Sequence, residues 1–153
     1  MLHALALLIG IVSGMRAMTE PAAISWAAYS GWLELSQSPL AFLGFRWTPW
    51  IFTALAIGEL ITDQLPSTPS RTVPVQFGTR ILSGAVCGAA IGSASDSLMF
   101  GAALGIIGAI AGTLGGRAAR RALAAKFGRD TPAALIEDAV AIVGAILLVG
   151  ALP

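Results

Sequence analysis

The stretch Ser97–Gly116, SLMFGAALGIIGAIAGTLGG, decides the fold: it carries no charged residue and stops at Arg117. A membrane helix needs roughly 20 apolar residues at about 1.5 Å per residue. Five more apolar stretches flank it: Leu2–Met18, Ala22–Leu35, Trp47–Thr62, Phe77–Ser93 and Pro132–Leu152. Most come near the spanning length. Ala22–Leu35 is short and predicts a tilted or half-spanning helix. The expected fold is all-α, an integral membrane bundle of about six transmembrane helices in alternating directions. It forms one polytopic domain over residues 1–153.

Composition points the same way. Hydrophobic residues make up 56% of the chain and charged residues 11%, against about 25% charged in a soluble domain. So few charges cannot solvate an ordinary globular surface, and membrane lipids are the expected covering. The net charge of +1 comes with no basic tail, so nucleic acid is not an expected partner. The distribution of charge is more informative. Arg16, Arg71, Arg80, Arg117, Arg120, Arg121, Lys126 and Arg129 lie in or beside the 1–2, 3–4 and 5–6 connections, and only Arg46 lies on the other side. The positive-inside rule makes those connections cytoplasmic. The expected location is the bacterial cytoplasmic (inner) membrane, multi-pass, with both termini outside. The first segment has no basic residue before its apolar run, so it reads as an uncleaved helix rather than a signal peptide. Cys87 is expected to be a buried, inert thiol, and His3 an incidental residue.

Glycine recurs every fourth residue at Gly10 and Gly14, at Gly84, Gly88 and Gly92, and at Gly108, Gly112 and Gly116. Residues four apart share a helix face, and glycine there lets backbones approach closely. This predicts glycine-zipper packing, with segments four and five as a hairpin around Ala94-Ser95-Asp96-Ser97. The same faces suit subunit contacts, so a homo-oligomer is expected, a dimer first. Trp32, Trp47 and Trp50 read as an outer aromatic belt, with Ala41–Phe45 along the interface. A weak internal echo links residues 1–35 with 97–152. Gly14-Met15-Arg16-Ala17 parallels Gly115-Gly116-Arg117-Ala118, and Thr19-Glu20-Pro21-Ala22-Ala23 parallels Asp130-Thr131-Pro132-Ala133-Ala134. Low-complexity Ala/Gly sequence produces such echoes by chance as well as by duplication.

Thr19 before Glu20-Pro21, and Thr131 before Pro132, predict two capped helix starts. Helix N-termini attract anions, a place that Glu20 can itself take. The intramembrane acids are more specific. Glu59 and Asp63 are four apart and share a face. Glu137 and Asp138, adjacent and about 100° apart on a helix, are not expected to meet the same group. An unpaired charge at such depth costs at least about 2.5 kcal/mol. Arg16, Arg80 and Arg117 are the natural partners. One expectation is a structural lattice of arginines and carboxylates; the other is a substrate, ion or proton site. The loop between segments three and four adds Ser67, Thr68, Ser70 and Arg71, groups that can hold phosphate or carboxylate oxygens. No zinc cluster, HExxH, GxSxG, Walker loop or dinucleotide fingerprint is present, so neither a metal nor another cofactor is expected.

Three motifs, Ser13 through Ala23, Gly58-Glu59 through Arg71-Thr72, and Ala134-Leu135-Ile136-Glu137-Asp138, resemble a family of small bacterial membrane proteins catalogued as domain of unknown function 4126. The Leu-Pro-Ser-Thr-Pro-Ser-Arg-Thr run is the most specific part. Members carry a first motif closer to Arg-Thr-Phe-Thr-Pro, from which Met18 and Glu20 depart. The resemblance implies a membrane topology and no established activity.

The functional expectation is a small transporter or channel-like protein with a cavity open to the cytoplasm. The cargo would be a small anion or phosphorylated amphiphile, with proton coupling possible. Arg16, Arg71 and Arg80 would attract the anion, Thr19, Ser67, Thr68 and Ser70 would orient it, and Glu59 or Glu137 would carry a proton, with Arg117 a further candidate binding residue. Asp63 and Asp138 would complete the pocket, with Arg16 and Arg71 at its mouth. Two alternatives remain: an enzyme acting on a lipid or polyprenyl phosphate headgroup through Mg²⁺ or a base, and a non-catalytic membrane scaffold.

Overall fold

The computed structural model describes residues 1–64 and 73–152. Among these residues the chain forms six α-helices and no strand. The helices are α1 (Leu2–Met15), α2 (Thr19–Tyr29), α3 (Thr48–Thr62), α4 (Pro74–Ser93), α5 (Leu98–Phe127) and α6 (Asp130–Gly150). A 3₁₀ turn, Ala41–Gly44, lies between α2 and α3.

Helix α5 is the axis on which α1 and α4 pack. Its glycines meet backbone rather than side chains: Gly105 faces Gly84 and Gly88 of α4, Gly101 faces Gly88 and Gly92, and Gly112 faces Ile11 of α1. Gly10 of α1 in turn faces Gly105. With no Cβ between them, the three backbones approach to distances that larger residues prevent. Helix α6 packs on α5, and α2 packs on α3. An apolar core gathers Leu5 and Ile9 of α1, Ile24 of α2, Leu33, Leu43 and Ile91.

Several element boundaries differ from the sequence expectation. Helix α5 runs eleven residues beyond Gly116, to Phe127. Alanine, arginine and leucine after Gly116 are strong helix formers, so nothing stops the helix until Gly128 takes the left-handed conformation at φ 67°. Helix α2 ends at Tyr29, not Leu35. There Gly31, at φ 77°, turns the chain. Trp32 N–H bonds Ala27 O at 2.9 Å and Gly31 N–H bonds Ala28 O at 3.2 Å, which satisfies the last carbonyls. Thr19 and Thr131 do not cap α2 and α6. Those helices begin at Thr19 and Asp130, after Met18 and Arg129, with no side-chain cap bond at either start. Pro21 and Pro132 are each the third helical residue. No N–H in the first turn has an intrahelical partner, so proline is tolerated throughout that turn and does not mark its first residue.

Helices α5 and α6 are long and apolar enough to cross a membrane; α1 and α3 are apolar but shorter. Ile136, Val140, Val143 and Leu147 form an exposed apolar stripe along α6, and Ile107, Ile110 and Leu114 another along α5.

Candidate functional site: a buried arginine–carboxylate cluster

The site is built around the link between α1 and α2. Arg16 leaves the helix in an extended conformation (φ −139°, ψ 125°), which turns its side chain across the bundle. It is 0% exposed. Its guanidinium ion-pairs with Asp63 at the end of α3 and with Asp138 of α6. Arg16 Nε donates to Asp138 Oδ1 at 2.7 Å. Asp138 Oδ2 also accepts from Gln64 Nε2 at 3.2 Å.

Arg80 of α4 is 1% exposed and closes the other side. Its Nη2 lies 3.7 Å from Glu59 Oε1 and 3.8 Å from Asp63 Oδ2. Its Nη1 donates to Met15 O at 2.5 Å and to Gly14 O at 3.3 Å. These carbonyls end α1 and have no partner within their own helix, so a cation there meets both bare acceptors and the negative end of the helix dipole. Thr113 of α5 donates to the same Gly14 O at 3.1 Å.

Glu59 does the complementary work at the start of α2. Its two oxygens accept from Ala17 N and Met18 N, each at 2.8 Å. An anion there satisfies free N–H groups at the positive end of a helix. Glu59→Ala is expected to lower stability by about 1.5–3 kcal/mol, the usual worth of hydrogen bonds to a charged group. Glu59→Gln keeps one acceptor oxygen and should lose less. Thermal unfolding of the two purified variants checks the order.

The structure thus brings Arg16, Glu59, Asp63, Arg80 and Asp138 together. Arg16 is at their centre and not at a mouth, because the extended link drives it inward. Glu137 belongs to a neighbouring group: Arg120 Nη1 lies 3.6 Å from its Oε2. Arg120 also pairs with Asp130, at 3.0 and 2.5 Å. Glu137 and Asp138 therefore meet different arginines, as their angular separation requires. Arg117 is exposed on α5. Thr19 is buried, and among the described residues its hydroxyl has no hydrogen-bond partner. Ser67, Thr68, Ser70 and Arg71 lie outside the described residues.

Sequence reasoning passed over Gln64, Arg120 and Glu20. Arg120 lies on α5 and not in the connection after it, and the alanine-rich run beyond Gly116 is the signal for that continuation. Glu20, from the sequence an anion at a helix start, is 0% exposed. A crevice of about 150 Å³ runs beside the cluster, lined by Met18, Pro21, Phe52, Leu82 and Val86 together with Thr79 and Ser83. Among the described residues no group of three His, Cys, Asp or Glu side chains is placed to hold a metal ion. The nearby acids are turned instead to arginines and backbone N–H groups.

No curated protein and no solved structure matches the chain. Residues 3–152 match the family model described as Domain of unknown function (DUF4126), and the chain belongs to that family.

Proposed function

We propose that this is a multi-pass protein of the bacterial cytoplasmic membrane that acts as a small transporter or channel-like protein. Its cargo is a small anion or a phosphorylated amphiphile, admitted from the cytoplasmic end. Both termini are outside. The exposed apolar stripes of α5 and α6 support the membrane setting, since soluble monomers rarely expose large continuous apolar patches. Helix α5 is about 45 Å long at 1.5 Å per residue. A hydrocarbon layer of about 30 Å leaves its last turns, with Arg120, Arg121 and Lys126, in the cytoplasm.

The observation that carries the reading is Arg16. A fully buried guanidinium is held by carboxylates from two separate helices, α3 and α6. Those carboxylates stand where an anionic cargo would bind. A phosphate or carboxylate that displaces Asp63 and Asp138 exchanges one set of charged hydrogen bonds for another. It also releases α3 from α6, which is how a gate opens. The apolar crevice beside Thr79 and Ser83 suits a short hydrocarbon tail and supports the amphiphile form of the cargo. Counterflow of radiolabelled inorganic phosphate in proteoliposomes is the test. Wild-type protein should carry label, and Arg80→Ala and Glu59→Gln should carry at least tenfold less. Equal flux in all three would remove these residues from the mechanism.

One observation favours a second reading, a scaffold whose charges only lock the bundle. Arg16 already has both acids it needs. Under that reading the two variants would change melting temperature alone, and wild-type vesicles would show no counterflow.

A further inference from the structure

Glu20 stands apart from the cluster. It is the second residue of α2 and is completely buried. Among the described residues neither carboxyl oxygen has a hydrogen-bond partner. The acids around Arg16 and Arg80 each meet a cation or a backbone N–H at hydrogen-bond distance; this one has only its own backbone N–H and the Ser13 hydroxyl nearby, neither in bonding geometry. Its polar surroundings come from two other helices. Ser13 of α1 faces it, and Ser83 and Cys87 of α4 continue the group. Ser13 Oγ and Ser83 Oγ are 3.5 Å apart. All four side chains are buried.

The charged groups that bear on Glu20 are Glu59 of α3 and Arg80 of α4. Each is already engaged, Glu59 by the N–H groups of Ala17 and Met18, Arg80 by the carbonyls of Gly14 and Met15. The 3₁₀ turn carries no ionisable residue, and the α6 acids Glu137 and Asp138 are turned to Arg120 and Arg16. An ionised carboxylate in such a place would give up all its water for at most its own N–H and the Ser13 hydroxyl, with Arg80 already engaged elsewhere, an arrangement folded proteins avoid. The carboxylic acid form needs no cation. Its single O–H can be donated to a hydroxyl oxygen, which Ser13 offers, and Ser83 lies next to Ser13.

We propose that Glu20, with Ser13 and Ser83, forms an occluded proton-binding site between α1, α2 and α4, occupied by a proton at neutral pH. The proton binds one carboxylate oxygen of Glu20 and leaves from the same atom, so charge balances without another ion. Glu59, whose charge bears on Glu20, offers an acceptor for the departing proton. The site goes beyond the transport reading and does not depend on the cargo.

Infrared difference spectroscopy of the purified protein in lipid nanodiscs reads the proton directly. At neutral pH in potassium buffer, wild type should show the carbonyl stretch of a protonated carboxylic acid, with the usual shift in heavy water. Glu20→Gln, the neutral isostere, should fold, melt at or above the wild-type temperature, and lack that band. Ser13→Ala retains the acid and should move the band to higher frequency as a polar neighbour is lost. It tests the site even where Glu20→Gln fails to fold. The proposal is overturned by a wild-type spectrum without the band, or by a band that neither variant alters. It is equally overturned if replacing potassium by sodium at constant pH abolishes the band, which would make this a sodium site.

Discussion

Arg16→Met is expected to destabilise the protein by about 3–5 kcal/mol, the cost of removing one partner from a buried ion pair. The substitution removes the guanidinium that Asp63 and Asp138 share, leaving, among the described residues, Asp63 only the longer contact with Arg80 and Asp138 only Gln64. The lost attraction is the smaller part of the effect. The larger part is two desolvated carboxylates of like sign. Neutralising those acids should therefore recover much of the loss, so Arg16→Met combined with Asp63→Asn and Asp138→Asn should be more stable than Arg16→Met alone. Arg120→Met is the control. Its partner Asp130 is largely exposed, at 62%. An exposed pair contributes about 1 kcal/mol or less, although the further contact with Glu137 adds to this. Chemical unfolding of the four proteins measures the order. Equal losses for Arg16→Met and Arg120→Met would show that the buried cluster does not hold the bundle.

Gly105→Ala should disrupt packing more than any single methyl group added on the outside. A Cβ at Gly105 would run into the backbone of Gly84 on α4. The obstacle is main chain, so no side chain can rotate away. Helix α4 must move bodily from α5, and Gly10 of α1 faces this same point of α5. Overpacking of this kind costs about 1–3 kcal/mol and occasionally more. Gly115→Ala makes the opposite prediction on the same helix. Open space surrounds that position, and alanine there gains about 0.5–1 kcal/mol over glycine in helix propensity. Melting temperatures that fall for Gly105→Ala and rise for Gly115→Ala would bear out the close approach. Two equal shifts would refute it.

The all-α class and the approximate place of each helix are legible in the order of residues alone. Apolar runs and the glycines, prolines and charges that break them act locally, so they can be read without knowing the fold. The ionisable residues that meet, Arg16 and Arg80 against Glu59, Asp63 and Asp138, are among those the sequence singles out, together with Glu137 and Arg117, which lie elsewhere. The reason is energetic, since a charge inside an apolar bundle must find a partner and the chain offers few. Only the tertiary structure decided which acid meets which arginine. Arg16 and Asp138 are 122 positions apart, and their meeting depends on how α1, α3 and α6 rotate about their own axes. Sequence period does not specify that rotation here, because Gly and Ala leave several faces of α1, α4 and α5 small enough to pack. The burial of Glu20 was hidden for the same reason. A carboxylate one residue into a helix looks like a solvated cap until α1 and α4 are known to cover it.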